Sequence, residues 1–436
     1  MEEQLLHNFA PAGAAVQPSW LDRLVRRAVL RRLDGLKQGR LTVVDWEGRY
    51  EFGRATPDCP LSVRLTIHDP AVYARVAFGG TIGAGEAYLH GEFDVDDLTT
   101  LVRLFVRNRD VMQGMEGGTA LLRVPLHRLT HRLRRNSRPG SRRNISAHYD
   151  LGNAFFERFL DRNHMMYSSA VFPRPEATLE EAAEAKLDRI CDKLELGPED
   201  HVLDIGGGWG GFAIHAARTR GCRVTMTTIS REQFALASRR VQEAGLSDRV
   251  TVLNQDYRDL SGQFDKLVSI EMIEAIGHEA YPAFFQACSR LLRPGGTLLL
   301  QAITIAEPFY EEARRNVDFI QRYIFPGGAL PSVTALCEGA GAVDDLRVVH
   351  LEDLGLHYAL TLGHWRRRLH EHWQTLRADG QSQAFLRMWE FYLSYCEGGF
   401  LERSIGLAQV LFTKPTADAG GPSLASWPVA QPQPQA

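Results

Sequence analysis

The chain of 436 residues has no Cys-x-x-Cys pair. Its six cysteines, Cys59, Cys191, Cys222, Cys288, Cys337 and Cys396, stand apart from one another. That scatter offers neither a zinc site nor a disulfide framework, and a reduced, cytoplasmic chain is the expectation. His-x-x-His spacing and carboxylate triads are missing too, so no catalytic metal is expected. No stretch approaches the ~18 apolar residues that a membrane span needs. Met1–Gln17 lacks a charged start followed by an apolar run, so no signal peptide is predicted. A charge excess is also lacking. Lys and Arg number 50 against 53 Asp and Glu, a formal net charge of −3, which gives no reason to expect a nucleic-acid partner.

What is present reads as two folded parts and a basic connection. Trp20, Leu21, Leu24, Val25, Ala28, Val29, Leu33 and Leu36 recur at helical spacing, with Arg23, Arg26, Arg27, Arg31 and Arg32 on the remaining face. Alternation predicts strands over Leu41–Trp46 and Arg49–Phe52 around a Glu47-Gly48 turn, then Leu61–His68. Glycine punctuation at Gly79, Gly80 and Gly83 precedes a predicted helix over Asp97–Arg107. Residues 18–115 are therefore expected to form a small α+β domain. Residues 116–143 form a basic linker, with eight arginines and no acidic residue from Leu121 to Arg143. Pro125 and Pro139 leave room there for one short helix. From residue 144 to 415, strand-like runs alternate with helical ones: His201–Ile205, Arg223–Thr228, Val250–Asn254, Lys266–Ile270 and Thr297–Ile303, with a last strand over Ile405–Thr413. That order implies an α/β domain with parallel β-α-β units. Residues 416–436, rich in Pro, Ala, Gly, Ser and Gln, are expected to be disordered.

The basic helix and linker suit an anionic membrane surface, where each arginine contributes about 1 kcal/mol near headgroups. The competing reading is that the helix packs its apolar stripe on its own domain and the arginines are solvated. Both stay open here.

The chemistry concentrates after His201–Ile205, where Gly206-Gly207-Gly208-Trp209-Gly210-Gly211 opens a helix. Such a loop lets a ligand approach the backbone at a helix N-terminus. Gly206, Gly208 and Gly211 match dinucleotide spacing loosely. The next strand, however, ends in Thr227-Thr228-Ile229-Ser230, without the carboxylate that holds a ribose in nicotinamide enzymes. Asp204, before the first glycine, suits the ammonium of a methionine moiety. After the third strand, Asp256 can accept from an adenine amino group, and the Tyr257 ring can stack on it. Together these point to S-adenosylmethionine rather than to NAD or an ordinary ligand-free turn.

Several ordered segments resemble one family, the cyclopropane-fatty-acyl-phospholipid synthases with their mycolic acid relatives. They are Asn144–Asn153, Met166-Tyr-Ser-Ser-Ala170, Leu203–Gly211, Thr228–Gln233, Gln255–Arg258, Ser269–Gly277, Tyr323–Pro331 and Gly355–Tyr358. The match runs from about Asn144 to Pro415, and Gly85–Gly91 is similar to a segment of the longer bacterial members. The resemblance implies a Rossmann-like S-adenosylmethionine-dependent methyltransferase domain behind the smaller N-terminal α+β domain. It also implies methyl transfer to the cis double bond of an unsaturated phospholipid acyl chain. A bound bicarbonate would then remove a proton so that a cyclopropane closes. Peripheral association with the inner face of the membrane follows, and a homodimer is among the expected assemblies.

By the same resemblance Glu274, Tyr358 and the backbone of Ile303 belong to the bicarbonate site. Tyr167, Ser168 and Gly206 would contact the methionine end of the cofactor. Thr228 and Gln233 would hold the ribose, beside Ile229, and Asp256 the adenine. Gly208, Trp209 and Gly210 complete the loop. Phe319, Tyr323 and Phe325 are candidates for an acyl channel. Two departures bear on the product: Ser169 stands where the family has cysteine, and Gln301 where it often has histidine. A base placed differently would give a methylene- or methyl-branched chain. A non-catalytic lipid-binding relative and a small-molecule N-methyltransferase stay open as well. Purely structural roles compete for single residues: Glu274 as a helix-start carboxylate, Tyr358 as a core tyrosine and Ser169 as a helix cap.

Overall fold

A computed structural model describes residues 17–111 and 152–416. The expectations for residues 1–16, the linker 116–143, the Asn144–Leu151 part of the first motif and the tail beyond residue 416 lie outside the described residues.

Helix α1 (Trp20–Leu33) starts where Ser19 and Asp22 cap each other reciprocally. It ends before Leu36, because Asp34, Gly35 and Leu36 turn their amides back onto Leu30, Arg32 and Leu33 carbonyls. Its stripe divides along its length. Val29, Leu30 and Leu33 are buried, while Trp20, Leu21 and Leu24 remain 77%, 51% and 57% exposed. Arg26 departs from the expected solvated face. It is buried, with Asp45 and Glu47 oxygens each 2.6 Å away.

Strands β1 (Gly39–Asp45) and β2 (Gly48–Arg54) form a hairpin closed by Trp46-Glu47, one residue earlier than the expected turn. Strand β3 (Ser62–Ile67) runs parallel to β1. Between β3 and β4 (Phe93–Val95) the glycine-punctuated stretch is a helix, α2 (Ala71–Leu89), kinked at Gly80 (φ 53°). The helix expected over Asp97–Arg107 is α3 (Leu98–Arg107), with Asp97 outside it as its cap.

After a short helical turn over Asn153–Glu157, the second part runs through α4 (Leu179–Lys193), β5 (His201–Ile205), α5 (Gly211–Arg220), β6 (Arg223–Thr227), α6 (Arg231–Glu243), β7 (Val250–Leu253) and β8 (Phe264–Ile270). It continues with α7 (Tyr281–Leu291), β9 (Leu292–Ile305), α8 (Glu307–Arg315), β10 (Arg347–Asp353), α9 (Gly355–Glu371), α10 (Gln383–Leu401) and β11 (Ile405–Thr413). The sheet order is β10-β11-β9-β8-β5-β6-β7. Strands β5 to β9 are parallel, and β11 runs antiparallel between β9 and β10. This is the expected Rossmann-like α/β architecture with one added edge strand. Strand β10 escapes the sequence pattern because its burial does not alternate and its register breaks between Val348 and His350. The chain winds from β5 toward β7 on one side and through β8 to β9 on the other. A crevice opens at the carboxyl ends of β5 and β8, where such sheets bind ligands.

The N-terminal part is welded to this sheet domain. One apolar cluster takes in Leu41 and Leu104 together with Trp365, Trp389 and Phe391. Tyr88 donates to Glu390 at 2.5 Å, and Arg103 and Arg107 both donate to Glu402. Two glycines permit the close approach. A Cβ at Gly85 on α2 would stand 2.3 Å from the Phe319 ring, and one at Gly398 on α10 would stand 2.7 Å from Val102. Gly85→Ala is expected to lose about 1–3 kcal/mol to overpacking, partly offset by the better helix propensity of alanine. Urea unfolding measures it, and a gain in stability would mean that Phe319 moves aside freely. Among the described residues, no helix is long and apolar enough to cross a membrane.

Candidate active site

The carboxyl ends of β5 to β8 each deliver one piece of the site. After β5 the chain turns through Gly206, Gly208 and Gly210, with φ of 82°, 57° and 83°. Side chains are excluded there. A Cβ at Gly206 would lie 2.7 Å from Met272, and one at Gly207 2.5 Å from Asp204 Oδ2. The loop therefore offers bare backbone to a ligand. Asp204 is buried beneath it, and among the described residues nothing pairs with its Oδ2. Burial pushes its pKa up to about 7, against the pull of the Lys186 ammonium. Lys186 itself is fully buried and donates to Ser168 Oγ at 3.0 Å; burial lowers its pKa to about 8. An orphan carboxylate oxygen on a cavity wall fits the amino group of a methionine moiety, so the residues present suit S-adenosylmethionine.

After β6, Thr228 donates to Gln233 Oε1 at 2.7 Å, with Ile229 beside them. After β7, Asp256 is gripped by Arg258, whose Nη2 reaches Oδ2 at 2.6 Å. That brace has no signal in the motif alone. The Tyr257 ring meets Phe284 edge-on at 5.7 Å. Tyr167 donates to the Tyr392 hydroxyl at 3.1 Å, and Trp209 Nε1 to Asn153 at 2.8 Å. Thr228, Ile229, Gln233, Asp256, Tyr257, Tyr167 and Trp209 border one cavity of about 1270 Å³, together with Asp204, Gly206, Gly208 and Ser168. Gly210 does not border it; it starts α5 and faces Ala237 and Met226.

The cavity continues past β8 to two half-buried glutamates, Glu271 and Glu274. Glu274 sits in a 3-10 turn and accepts the Ile303 amide at 2.5 Å. Among the described residues its Oε2 has no partner. Burial, and then the neighbouring Glu271 charge, raise its pKa to about 8. Glu271, not singled out in the sequence, is the better-connected of the two. Its Oε1 accepts the Ser169 amide at 2.9 Å and Gln301 Nε2 at 2.8 Å; its Oε2 accepts the Tyr358 hydroxyl at 2.7 Å. Burial raises its pKa, and these three donors hold it down. A carboxylate at the carboxyl end of a central strand, the region that also holds Asp204 and Asp256, was its available signal. Beyond the glutamates the wall becomes apolar, with Ile82, Val102, Val106, Phe309, Phe325 and Leu362.

Three expectations change. Ser169 contributes its amide, while its hydroxyl donates to the Ala170 carbonyl. Ser169 and Gln301 lie behind Glu271, off the cavity wall. Of the three aromatic candidates only Phe325 borders the cavity; Phe319 is core, and Tyr323 donates to Glu86. The donors assigned to bicarbonate are already engaged by side chains of this chain. Those of Ser169, Gln301 and Tyr358 end on Glu271 and that of Ile303 on Glu274, so the arrangement does not fit a separate anion.

Comparison with known proteins agrees with this geometry. Residues 136–410 match the family model described as mycolic acid cyclopropane synthetase. The chain is 40% identical over 360 residues to tuberculostearic acid methyltransferase UfaA1 of Mycobacterium tuberculosis, covering 80% of this chain and 83% of that one. It is 37% identical over 353 residues to the cyclopropane-fatty-acyl-phospholipid synthase of Escherichia coli, covering 80% and 87%. Among solved structures it resembles the mycolic acid cyclopropane synthase CmaA1 complexed with SAH and CTAB. The identity is 33%, the TM-score 0.58, and the match covers 63% of this chain and 98% of that one. With a glycine loop and an orphan carboxylate suited to the same cofactor, this chain belongs to the mycolic acid cyclopropane synthetase family and is an S-adenosylmethionine-dependent methyltransferase of lipid acyl chains.

Proposed function

We propose that the protein methylates the cis double bond of an unsaturated phospholipid acyl chain and closes a cyclopropane there. One observation carries the reading: a single cavity joins the glycine loop, Glu271 and Glu274 and an apolar extension into the N-terminal part. An alkene is a poor nucleophile, so it must be positioned against the methyl donor and kept from water that would trap the cation. Negative charge buried beside the reacting carbons stabilises that cation. In this reading Asp204, Gly206, Gly208, Tyr167 and Ser168 hold the methionine end of the donor. Thr228, Ile229 and Gln233 take the ribose, and Asp256 and Tyr257 the adenine. No step is assigned to bicarbonate.

A second reading has its own support. A relative at 40% identity is named a tuberculostearic acid methyltransferase. Proton loss at a different bond would leave a methylene- or methyl-branched chain. The pure protein, S-adenosylmethionine and vesicles of unsaturated phospholipid separate the two. A gain of one CH₂ with cyclopropane proton signals is expected; the same gain with an alkene retained would replace the ring with the branched product. No gain at all would overturn both.

Access to the chain in a bilayer comes from α1 in this proposal, acting at the cytoplasmic face. Its exposed Trp20, Leu21 and Leu24 share the helix with exposed Arg23, Arg27 and Arg31, the composition of an interfacial helix. Replacing Trp20, Leu21 and Leu24 by serine should reduce co-sedimentation with anionic vesicles at low salt at least tenfold. Unchanged binding would remove α1 from the docking surface.

A further inference from the structure

We infer that Glu271 is the proton acceptor of the reaction, built into the position where a soluble anion would otherwise be required, and that Lys193 holds it ready through a one-way chain of amides. The inference rests on the methyl-transfer reading above.

The main chain at Glu271 has φ of 52°, the left-handed region. A non-glycine residue there costs about 1 kcal/mol or more relative to glycine. That conformation brings its carboxylate to the Ser169 amide and the Tyr358 hydroxyl, with the cavity on the open side. Its own amide donates to the Gln301 carbonyl at 2.8 Å, so residue 301 grips residue 271 by both backbone and side chain.

Behind Gln301 lies an ordered relay. Lys193 Nζ stands 2.7 Å from Gln409 Oε1, Gln409 Nε2 stands 2.9 Å from Gln301 Oε1, and Gln301 Nε2 stands 2.8 Å from Glu271 Oε1. Glutamine oxygen and nitrogen are ordinarily interchangeable in position. Here an ammonium can only donate, so Gln409 must turn its oxygen to Lys193 and its nitrogen to Gln301. Gln301 must then turn its nitrogen to Glu271. Gln301 and Gln409 are both buried, so water offers neither a competing partner. Flipping Gln301 would set its carbonyl against the Glu271 carboxylate, and flipping Gln409 would set its amide nitrogen against the Lys193 ammonium and its carbonyl against that of Gln301. Lys193 is anchored at the outer end by Glu352 at 2.6 Å. Lys193, Gln409 and Gln301 are thus positioning residues for Glu271.

The step balances without an added anion. The alkene π pair forms a bond to the methyl carbon while the sulfur–methyl bond breaks and its pair stays on sulfur. The neighbouring alkene carbon becomes cationic. Glu271 takes a proton from the transferred methyl, and the freed C–H pair closes the ring. The proton passes to water when product leaves.

Two measurements test this on the full chain. Turnover of unsaturated phospholipid vesicles is followed in buffers purged of carbon dioxide and again with added bicarbonate. Wild type is expected to be indifferent to bicarbonate. Glu271→Gly relaxes the backbone and vacates the site; it should lose about 10²–10⁴-fold and regain activity with bicarbonate. Wild-type activity that falls on purging, or a Glu271→Gly variant as active as wild type without bicarbonate, overturns the proposal. Gln409→Leu breaks the relay. It should move the acid limb of kcat/KM upward by about one pH unit, with KM for S-adenosylmethionine unchanged; an unmoved limb removes Lys193 and Gln409 from the mechanism. The second measurement needs no lipid: carbon-13 bicarbonate is titrated into the protein with S-adenosylhomocysteine. A bound signal is expected for Glu271→Gly only, and one on wild type overturns the proposal. If wild type methylates no lipid, it is the methyl-transfer reading that falls, and this titration still decides the anion site.

Discussion

Glu274→Gln should lower kcat about 10²–10³-fold and at the same time raise the melting temperature of the ligand-free protein at pH 8. The glutamine keeps the acceptor for the Ile303 amide, which Glu274 meets at 2.5 Å, and removes only the charge. Burial and Glu271 raise the Glu274 pKa from 4.5 to about 8. The folded protein therefore binds this proton more tightly than the unfolded chain does. The resulting stability is fully present below the unfolded pKa and is lost as pH rises from about 4.5 to about 8. At pH 8 wild type has lost on the order of a few kcal/mol that the glutamine variant never had at stake. The gap in melting temperature should widen from pH 5 to pH 8. During turnover the cationic donor and the developing carbocation draw Glu274 toward its ionised form, and that charge is what the variant lacks. Activity within threefold of wild type would assign Glu274 a neutral role and leave Glu271 to carry the charge alone.

Cofactor affinity should rise with pH through neutrality, and Asp204→Asn should abolish both the rise and most of the affinity. Asp204 is buried with its pKa pushed up to about 7, and its Oδ2 lacks a partner among the described residues. An incoming ammonium supplies that partner and favours the charged form, so a proton leaves as the ligand binds. Titration calorimetry in two buffers of different ionisation enthalpy reads the proton directly. We expect release near pH 7, binding tighter at pH 8 than at pH 6, and about 10²-fold weaker binding in Asp204→Asn, the loss typical of a buried charge-assisted hydrogen bond. Proton release unchanged in Asp204→Asn would move the assignment to Lys186, whose pKa burial lowers at this same end of the cavity.

The residues proposed to hold the cofactor could be picked out in the linear chain because they are local. Asp204 and its glycines belong to one strand and the turn that follows it, Thr228 to Gln233 to the next turn, and Asp256 to the one after. A turn that must leave room for a ligand shows its glycines in any sequence. Glu274 was legible for the same reason. Glu271, three residues earlier, was not. Its proposed role rests on contacts with Ser169, Gln301 and Tyr358, up to 102 residues away in the chain. The same holds for Phe319, an aromatic in a channel-like motif that proves to be core because Gly85, from the other part of the molecule, leaves room for its ring. The split stripe of α1 is a third case. Periodicity identifies a helix, but the neighbours that bury Val29 and leave Trp20 in solvent come from strands and helices elsewhere.

The sequence by itself determined the parallel α/β domain, the methyl-donor loop and the family, since alternation, turn chemistry and ordered motifs are properties of short segments. Only the tertiary structure brought Glu271 onto Ser169, Gln301 and Tyr358, and Glu274 onto the Ile303 amide. Those contacts depend on where hydrogen-bond donors from β9, α9 and the Tyr167–Ala170 segment converge. A buried charge is placed by its partners, and no spacing along the chain records where those partners meet.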